Sequence, residues 1–193
     1  MQKVHYFSQE ELARFFNSIK KSGRKYWLRD LCIFRVAYRC GLRASEVGLI
    51  STADYNPQRK ELFCKRLKNS QSNTIRLDDE TARYLRRYIR ENGKESSQVL
   101  FTSQGGGPIS RQMLDLLMRS YCHKAGLADV SRHHFHSLKH SIAVHLAESG
   151  LDLKELQHYL GHRSVQSTLI YFQFTTSQQE EMYRKLEKSG TLV

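Results

Sequence analysis

The chain opens with hydrophobic residues spaced three or four positions apart, a pattern that predicts an amphipathic helix. Ser8 and Glu11 match a capping box at its start, and Phe7 and Leu12 occupy the positions of a hydrophobic staple. The apolar positions continue to Ile19. We therefore predict a first helix that begins after Ser8 and packs one face against a core.

A second helical pattern covers about residues 25–40. Its apolar residues point to most sides, which is typical of a helix buried at the centre of a domain. Gly41 follows at a position where glycine commonly ends a helix. A short third helix is predicted over about residues 44–50.

The pattern then changes to one that favours extended structure. Residues 61–67 and 74–77 predict two strands joined by the polar loop 68–73. A turn is predicted to begin at residues 55–57, and residues 99–101 form a short extended segment. The middle of the chain is therefore expected to contain a small antiparallel sheet.

The rest of the chain has helical patterns. Asp78 and Ser110 are predicted to cap two amphipathic helices. Four more are predicted: about residues 137–149, about residues 153–160, a short helix leading to Tyr171, and about residues 176–188. The expected class is α+β, mainly α-helical with a small antiparallel β-sheet. Since no repeat or linker interrupts the pattern, residues 1–193 are predicted to form one domain.

Charge adds the first indication of function. The 193 residues contain 31 Lys and Arg against 19 Asp and Glu, a net charge of +12. This excess predicts a polyanionic partner, usually nucleic acid, although it does not separate DNA from RNA. A basic surface that only maintains solubility is the alternative.

Other classes find no support. No apolar run is long enough to cross a membrane, and the N-terminus lacks the apolar stretch of a signal peptide. The four cysteines form no C-x-x-C pair, which argues against a zinc ribbon and favours reduced thiols in the cytosol.

Three clusters carry residues suited to chemistry. In the first, Arg43 follows Gly41 on a tight turn, where a guanidinium can face a phosphate and Glu46 can orient it. An ordinary surface Arg–Glu pair is the alternative. In the second cluster, His136 and Lys139 share one helix face.

His136 and His140 also share a face, which resembles a metal-binding pair. A third ligand at suitable spacing is missing, so we predict no metal. His140 and His145 also suit packing roles. The third cluster joins Gly161 and His162 to Tyr171, nine residues further on; alone, that tyrosine is typical of a core aromatic.

In order and spacing, the clusters resemble the catalytic domain of the tyrosine recombinases, the phage-integrase family. In this chain, GLRASEV resembles the family's first arginine box. The segment HSLKHSIAVHLAESGLDLKELQHYLGHRSVQSTLIY resembles the second box, and LFCKRLKNSQSNTIRL resembles the family's β-hairpin. The resemblance covers about residues 5–185. It implies the DNA breaking–rejoining fold.

The resemblance also implies roles. Tyr171 would attack the scissile DNA phosphate and form a 3′-phosphotyrosine, which implies neither ATP nor a metal ion. Arg43 would stabilise the transition state. Lys68 would protonate the departing 5′-oxygen. Lys65 competes for this role, but counting back from the second strand favours Lys68.

The remaining carried-over residues surround the phosphate. His136 and His162 would hydrogen-bond to it or assist proton transfer, and Glu46 would support Arg43. Lys139 stands where the family has its second arginine, so it keeps the charge but loses the two-pronged donor. We expect an active variant; an impaired enzyme is the alternative.

The architecture differs from most members of the family. The N-terminal core-binding domain is expected to be absent, as in the short fimbrial-switch invertases, unless the chain is one part of a longer protein. DNA binding should then be weaker and more salt-sensitive. The tail, with Met182, Leu186 and Val193, would dock on a neighbouring subunit or pack on its own domain.

These features predict a site-specific DNA recombinase of the prokaryotic cytoplasm or nucleoid. Its partners would be double-stranded DNA and further copies of itself, forming a homotetramer on a DNA synapse and a monomer or weak oligomer without DNA. The alternatives are a type IB topoisomerase-like activity, a catalytically impaired DNA-binding regulator and, on charge alone, an RNA-binding protein.

Overall fold

The computed structural model describes residues 4–68, 70–93, 98–172, 183–184 and 187–188. Within these residues the chain is mostly helical and carries one small antiparallel sheet, which confirms the predicted α+β class. No helix in this part of the chain is long and apolar enough to cross a bilayer. The helix predicted over about residues 176–188 lies largely outside the described residues, as do Met182, Leu186 and Val193.

Eight α-helices follow one another along the described residues. They are α1 (Gln9–Lys20), α2 (Trp27–Cys40), α3 (Ala44–Val47), α4 (Asp79–Glu91), α5 (Arg111–Lys124), α6 (His136–Glu148), α7 (Leu153–Leu160) and α8 (Gln166–Leu169). Two single turns of 3-10 helix, Thr52–Asp54 and Val130–Arg132, lie between them.

The predicted capping box of α1 is confirmed. The hydroxyl of Ser8 accepts a hydrogen bond from the backbone N–H of Glu11 at 3.2 Å, and the Glu11 carboxylate accepts one from the Ser8 N–H at 2.9 Å. Phe7 and Leu12 are both buried. The box fixes the start of the helix, and the two apolar residues anchor it on the core.

Helix α2 is buried on most sides, as its pattern predicts, and packs against α1, α4 and α6. Gly41 ends it with φ of +59°, a left-handed conformation that glycine adopts without strain. A side chain there would meet Leu160 at 3.0 Å. This glycine therefore brings the end of α2 close to α7 and places Arg43 at the start of α3.

The sheet has the strand order β1–β2–β3, with β1 at Tyr55–Asn56, β2 at Glu61–Cys64 and β3 at Asn73–Arg76. The turn predicted at residues 55–57 is wrong at its first two residues, because they pair with Leu62 and Glu61 of β2. A strand of two residues is too short to show an alternating pattern.

Two predicted elements are shorter than expected. The sequence predicts a strand to residue 67, but β2 ends at Cys64 because the next backbone N–H groups, of Arg66 and Leu67, bond to side chains instead of a neighbouring strand. The sequence predicts a helix to residue 50, but α3 ends at Val47. The carbonyl of Ile50 accepts a hydrogen bond from the extended segment at residues 99–101.

The apolar side chains form two clusters. The larger surrounds α2 and includes residues of α1, α4, α5 and the sheet. The smaller lies between α6, α7 and the residues after α8, and Tyr171 belongs to it. The C-terminal helices therefore place Tyr171 against the first turns of α6, opposite the end of α2.

Candidate active site

Five of the predicted site residues line one open cavity of about 510 Å³. They come from four separate parts of the chain: the start of α3, the first turn of α6, the residue after Gly161 and the segment that follows α8. These five are Arg43, His136, Lys139, His162 and Tyr171. The fold thus brings together the three sequence clusters, and their cationic and phenolic groups surround a space open to solvent.

Hydrogen bonds to Glu46 hold Arg43 in place. Its Nη1 donates to Glu46 Oε1 at 2.9 Å and to the Ser70 hydroxyl at 3.2 Å. Its backbone N–H donates to the other carboxylate oxygen of Glu46 at 2.8 Å. These bonds fix the guanidinium between α3 and the β2–β3 loop, while part of the side chain faces the cavity.

Glu46 is fully buried and ionised. Burial alone would raise its pKa, but hydrogen bonds from the backbone N–H groups of Arg43 and Leu67 and the nearby charge of Lys139 together lower it. The carboxylate therefore balances part of the positive charge in the cavity wall.

Lys139 is the most unusual group of the cavity. The residue is 1% exposed, and among the described residues its ammonium nitrogen has no hydrogen-bond partner. Burial, together with the charges of Arg43 and Arg66, lowers the pKa of Lys139 to about 7. A buried ammonium without a partner is costly, so the side chain is suited to an anion that enters the cavity.

The two histidines of the predicted site are neutral at physiological pH. His162 is buried, and this burial with the charges of Lys139 and Arg43 lowers its pKa to about 3. Its Nδ1 lies 3.0 Å from the Thr168 hydroxyl, which fixes the ring. His136 is more exposed; the loss of part of its hydration and the charge of Lys139 lower its pKa.

The glycine before His162 controls how closely the β2–β3 loop approaches. Gly161 ends α7 with φ of +67°, and a Cβ there would lie 2.3 Å from the carbonyl oxygen of Gln71. Gln71 in turn donates its backbone N–H to the Gly161 carbonyl at 2.8 Å. The loop that carries Lys68 and Ser70 is thereby docked on the turn that carries His162.

We expect Gly161→Ala to destabilise the fold more than the matched variant Gly126→Ala. Both glycines have nearly the same φ, +67° and +66°, but only the Cβ at residue 161 meets backbone. The left-handed conformation costs about 1–2 kcal/mol in each variant, and the clash adds to this at residue 161. Urea unfolding measures both, and equal losses would contradict the docking role of Gly161.

Tyr171 is buried, and its hydroxyl lies 3.1 Å from Nδ1 of His140. Burial raises the pKa of Tyr171, so the phenol keeps its proton at neutral pH. The sequence suggests a metal pair or a packing role for His140 and does not reveal this contact. The spacing of four residues from His136 is the available signal, because it places both rings on one face of α6.

The two candidate lysines of the hairpin lie in different places. Lys68 is exposed and lines a smaller cavity of about 290 Å³, which shares Arg43 and His136 with the larger one. Lys65 forms an ion pair with Asp54 at 3.1 Å and lines neither cavity. The position of Lys68 favours it over Lys65, in agreement with the count along the strands.

Arg66, between these lysines, is a structural residue that the sequence analysis misses. Its buried guanidinium donates to the carbonyl oxygens of Gly41 and Cys40 at 3.0 and 2.7 Å, and to that of Tyr159 at 3.3 Å. It thereby joins the hairpin to the ends of α2 and α7, the two elements that hold Arg43 and His162.

Among the residues that the structure describes, no group of three or more His, Cys, Asp or Glu side chains is placed to hold a metal ion. His136 and His140 lie close together, with ring centroids 4.4 Å apart at nearly a right angle, and His140 faces Tyr171.

The fold, the basic cavity and the buried tyrosine agree with the family resemblance of the sequence. The chain matches the model of the phage integrase family over residues 5–178, and it belongs to this family. The regulatory protein FimE of type 1 fimbriae from Escherichia coli K12 is 33% identical over 175 residues, which cover 89% of this chain and 86% of FimE.

Two further relatives are longer than this chain, which covers only part of their length. Tyrosine recombinase XerC of Roseiflexus castenholzii is 30% identical over 75% of this chain and 47% of XerC. The XerH site-specific recombinase, bound to palindromic difH substrate in a post-cleavage complex, matches with a TM-score of 0.80 at 24% identity, over 96% of this chain and 54% of XerH. The chain thus spans about half the length of the Xer relatives, and the likeness to XerH confirms the expected fold.

Proposed function

We propose that the chain is a site-specific DNA recombinase that cuts and rejoins DNA strands through a 3′-phosphotyrosine intermediate. The observation that carries this proposal is the single cavity in which Arg43, Lys139 and His162 face the same space as the Tyr171 hydroxyl. A DNA phosphate in that space would have cationic donors on its oxygens and a nucleophile beside its phosphorus.

The proposed reaction is a displacement at phosphorus. The Oη of Tyr171 forms a bond to phosphorus, and the bond from phosphorus to the 5′-oxygen breaks. Arg43 and Lys139 stabilise the charge that develops on the non-bridging oxygens, and Glu46 keeps the Arg43 guanidinium in place. Since one phosphodiester replaces another, rejoining needs no separate energy source.

Double-stranded DNA is the proposed substrate, and recombination would require several copies of the chain. The net charge of +12 and the solved DNA complex of XerH support the DNA partner. The same proposal includes a tetramer on two DNA sites, a monomer or weak oligomer without DNA, and a location in the prokaryotic cytoplasm or nucleoid.

Lys68 is the proposed acid that protonates the departing 5′-oxygen, since it lines the cavity next to Arg43 and His136. We expect Lys68→Ala to slow strand cleavage about 10²–10⁴-fold, the range for loss of a general acid. Replacing the 5′-bridging oxygen with sulfur, a leaving group that needs no proton, should restore the rate. Single-turnover cleavage of both substrates measures this effect.

Lys65→Ala is the matched control for that measurement. Lys65 lies half exposed in an ion pair with Asp54, so its removal should change cleavage little on either substrate. If Lys65→Ala is the slow variant and sulfur rescues it, the assignment of the acid to Lys68 is wrong.

The second candidate function depends on Lys139. Lys139 stands where the family has arginine, and its buried ammonium has no hydrogen-bond partner within the part of the chain that the structure describes. A site that lost turnover in this way would leave a DNA-binding regulator of the same fold. Such a protein would bind DNA in a salt-dependent manner without forming a covalent bond to it.

Covalent trapping separates these functions. The purified chain is mixed with nicked duplexes tiled from the DNA around its own gene, and an SDS-resistant protein–DNA band is the readout. A band on particular duplexes supports the recombinase and locates its site. Salt-sensitive binding without a band on any duplex favours the regulator, and relaxation of any supercoiled plasmid favours a type IB topoisomerase-like activity.

A further inference from the structure

The hydroxyl of Tyr171 and the ring of His140 form a buried pair at the end of the cavity. Their distance of 3.1 Å is that of a hydrogen bond, and both residues line the cavity. Because the phenol is protonated at neutral pH, its O–H is the donor and Nδ1 of His140 is the acceptor. The proton of the neutral imidazole ring is therefore on Nε2.

The electrostatic surroundings keep this ring neutral without DNA. Burial is the main cause that lowers the pKa of His140 to about 3, and the nearby His136, His134, Lys139 and His5 lower it further. A phosphodiester that enters the cavity brings a negative charge to the same groups. That charge favours the protonated ring, so His140 becomes a better base when substrate is bound.

We propose that His140 accepts the proton of Tyr171 when this tyrosine attacks the DNA phosphate. The inference rests on the proposed recombinase function. In the forward step the Oη–phosphorus bond forms, the phosphorus–O5′ bond breaks, the phenolic proton moves to Nδ1 of His140, and Lys68 supplies a proton to O5′. In the rejoining step the 5′-oxygen bonds to phosphorus and gives its proton back to Lys68, the Oη–phosphorus bond breaks, and His140 returns its proton to Tyr171.

The geometry favours His140 over the other histidines of the cavity. His162 directs its Nδ1 to the Thr168 hydroxyl at 3.0 Å. His136 packs edge-on against the His140 ring. Within the described residues, His140 is the histidine whose nitrogen is recorded within hydrogen-bond distance of the Tyr171 hydroxyl. A proton acceptor must first reach the proton that it removes.

The same helix provides a matched control. His145 lies near the other end of α6, and its Nδ1 is 2.8 Å from the hydroxyl of Tyr38. This pair has the same chemistry as the pair of His140 and Tyr171, but it does not line the cavity. Loss of His145 therefore reports what a buried Tyr–His hydrogen bond contributes to the structure alone.

The test measures single-turnover cleavage of a duplex that gives the covalent band. We expect His140→Ala to slow cleavage about 10²–10⁴-fold, and we expect added imidazole to restore part of the rate. His140→Asn should stay slow, because its amide oxygen can accept the hydrogen bond but cannot hold the proton. His145→Ala should cleave at the native rate and show no response to imidazole.

Different results overturn the inference and the function. If His140→Asn or His140→Ala cleaves within about threefold of the native rate, far above the loss expected for a missing proton acceptor, His140 does not take the proton. If the native chain forms no covalent band on any duplex, the recombinase proposal fails and the inference fails with it. Salt-dependent DNA binding by the two His140 variants shows whether they are folded. If His140→Ala does not fold, His140→Asn alone provides the test.

Discussion

Tyr171→Phe is expected to abolish the covalent protein–DNA band while DNA binding remains. The substitution removes only the hydroxyl, and the ring still fills its place in the cluster formed with α6 and α7. Loss of a covalent nucleophile has reduced turnover by about 10⁶-fold in a well-studied hydrolase, so no band should be detectable. Electrophoresis in SDS measures the band, and a mobility shift at several salt concentrations measures binding.

Tyr159→Phe is the control for this experiment. Its hydroxyl also forms one hydrogen bond, to the carbonyl oxygen of Arg39, but Tyr159 lies outside the cavity. Both variants should lose about 1 kcal/mol of stability, the contribution of one hydrogen bond, and only Tyr171→Phe should lose the band. A band that persists in Tyr171→Phe contradicts the assignment of the nucleophile.

Local signals made most of the fold predictable. The capping box at Ser8 and the helix ends at Gly41 and Gly161 depend on residues within a few positions, and each is confirmed. Element lengths were less predictable where the ends depend on distant partners. The backbone N–H of Leu67, for example, bonds to Glu46, which is 21 residues away, so residue 67 does not join the strand that its pattern predicts.

The sequence identifies residues that line the cavity, but it does not reveal which of them contact one another. The three clusters identify the residues that line the cavity, and the fold brings them together. The pairing of His140 with Tyr171 spans 31 residues, and the contact of Arg66 with Tyr159 spans 93. No spacing rule along the chain reaches such distances, so these two residues emerge only from the packing of α6, α7 and the hairpin.

Lys139 shows what the sequence reveals and what it hides. The substitution of the family's second arginine is visible in the residues, and the loss of the planar donor follows from side-chain chemistry. Its burial, and the lack of a partner for its ammonium among the described residues, depend on residues of other elements such as Arg43 and Glu46. These features change the expected behaviour with pH.

We expect the kcat/KM of cleavage to fall above pH 7 in the native chain but not in Lys139→Arg. The pKa of Lys139 is lowered to about 7, so its charge is lost as the pH rises through this value, whereas a guanidinium stays charged. Well above this pKa, kcat/KM falls about tenfold for each further pH unit, because it is proportional to the fraction of free enzyme in which Lys139 is charged. Profiles of kcat/KM from pH 6 to about 9 measure the difference.

The comparison between the two proteins removes the contribution of other titrating groups. The charged groups that face the Lys139 ammonium are Arg43, Arg66 and Glu46, and they are present in both proteins. His136 and His162 also line the cavity in both, and Cys64 of β2 faces the ammonium as well. Parallel profiles for the native chain and Lys139→Arg would therefore show that Lys139 does not titrate in this range.

Stability should respond to pH in the opposite direction to cleavage. The folded chain holds Lys139 at a pKa of about 7, whereas an unfolded lysine titrates near 10.5, so between these values the unfolded state binds more protons. The free energy of unfolding therefore rises with pH across this window. Lys139→Met should lose this rise in urea unfolding and should cleave about 10²–10³-fold more slowly at pH 6, where the native ammonium is charged.

Because a bound phosphate would partner the ammonium and raise its pKa, DNA binding should be accompanied by proton uptake near pH 7, and Lys139→Arg should bind without this uptake.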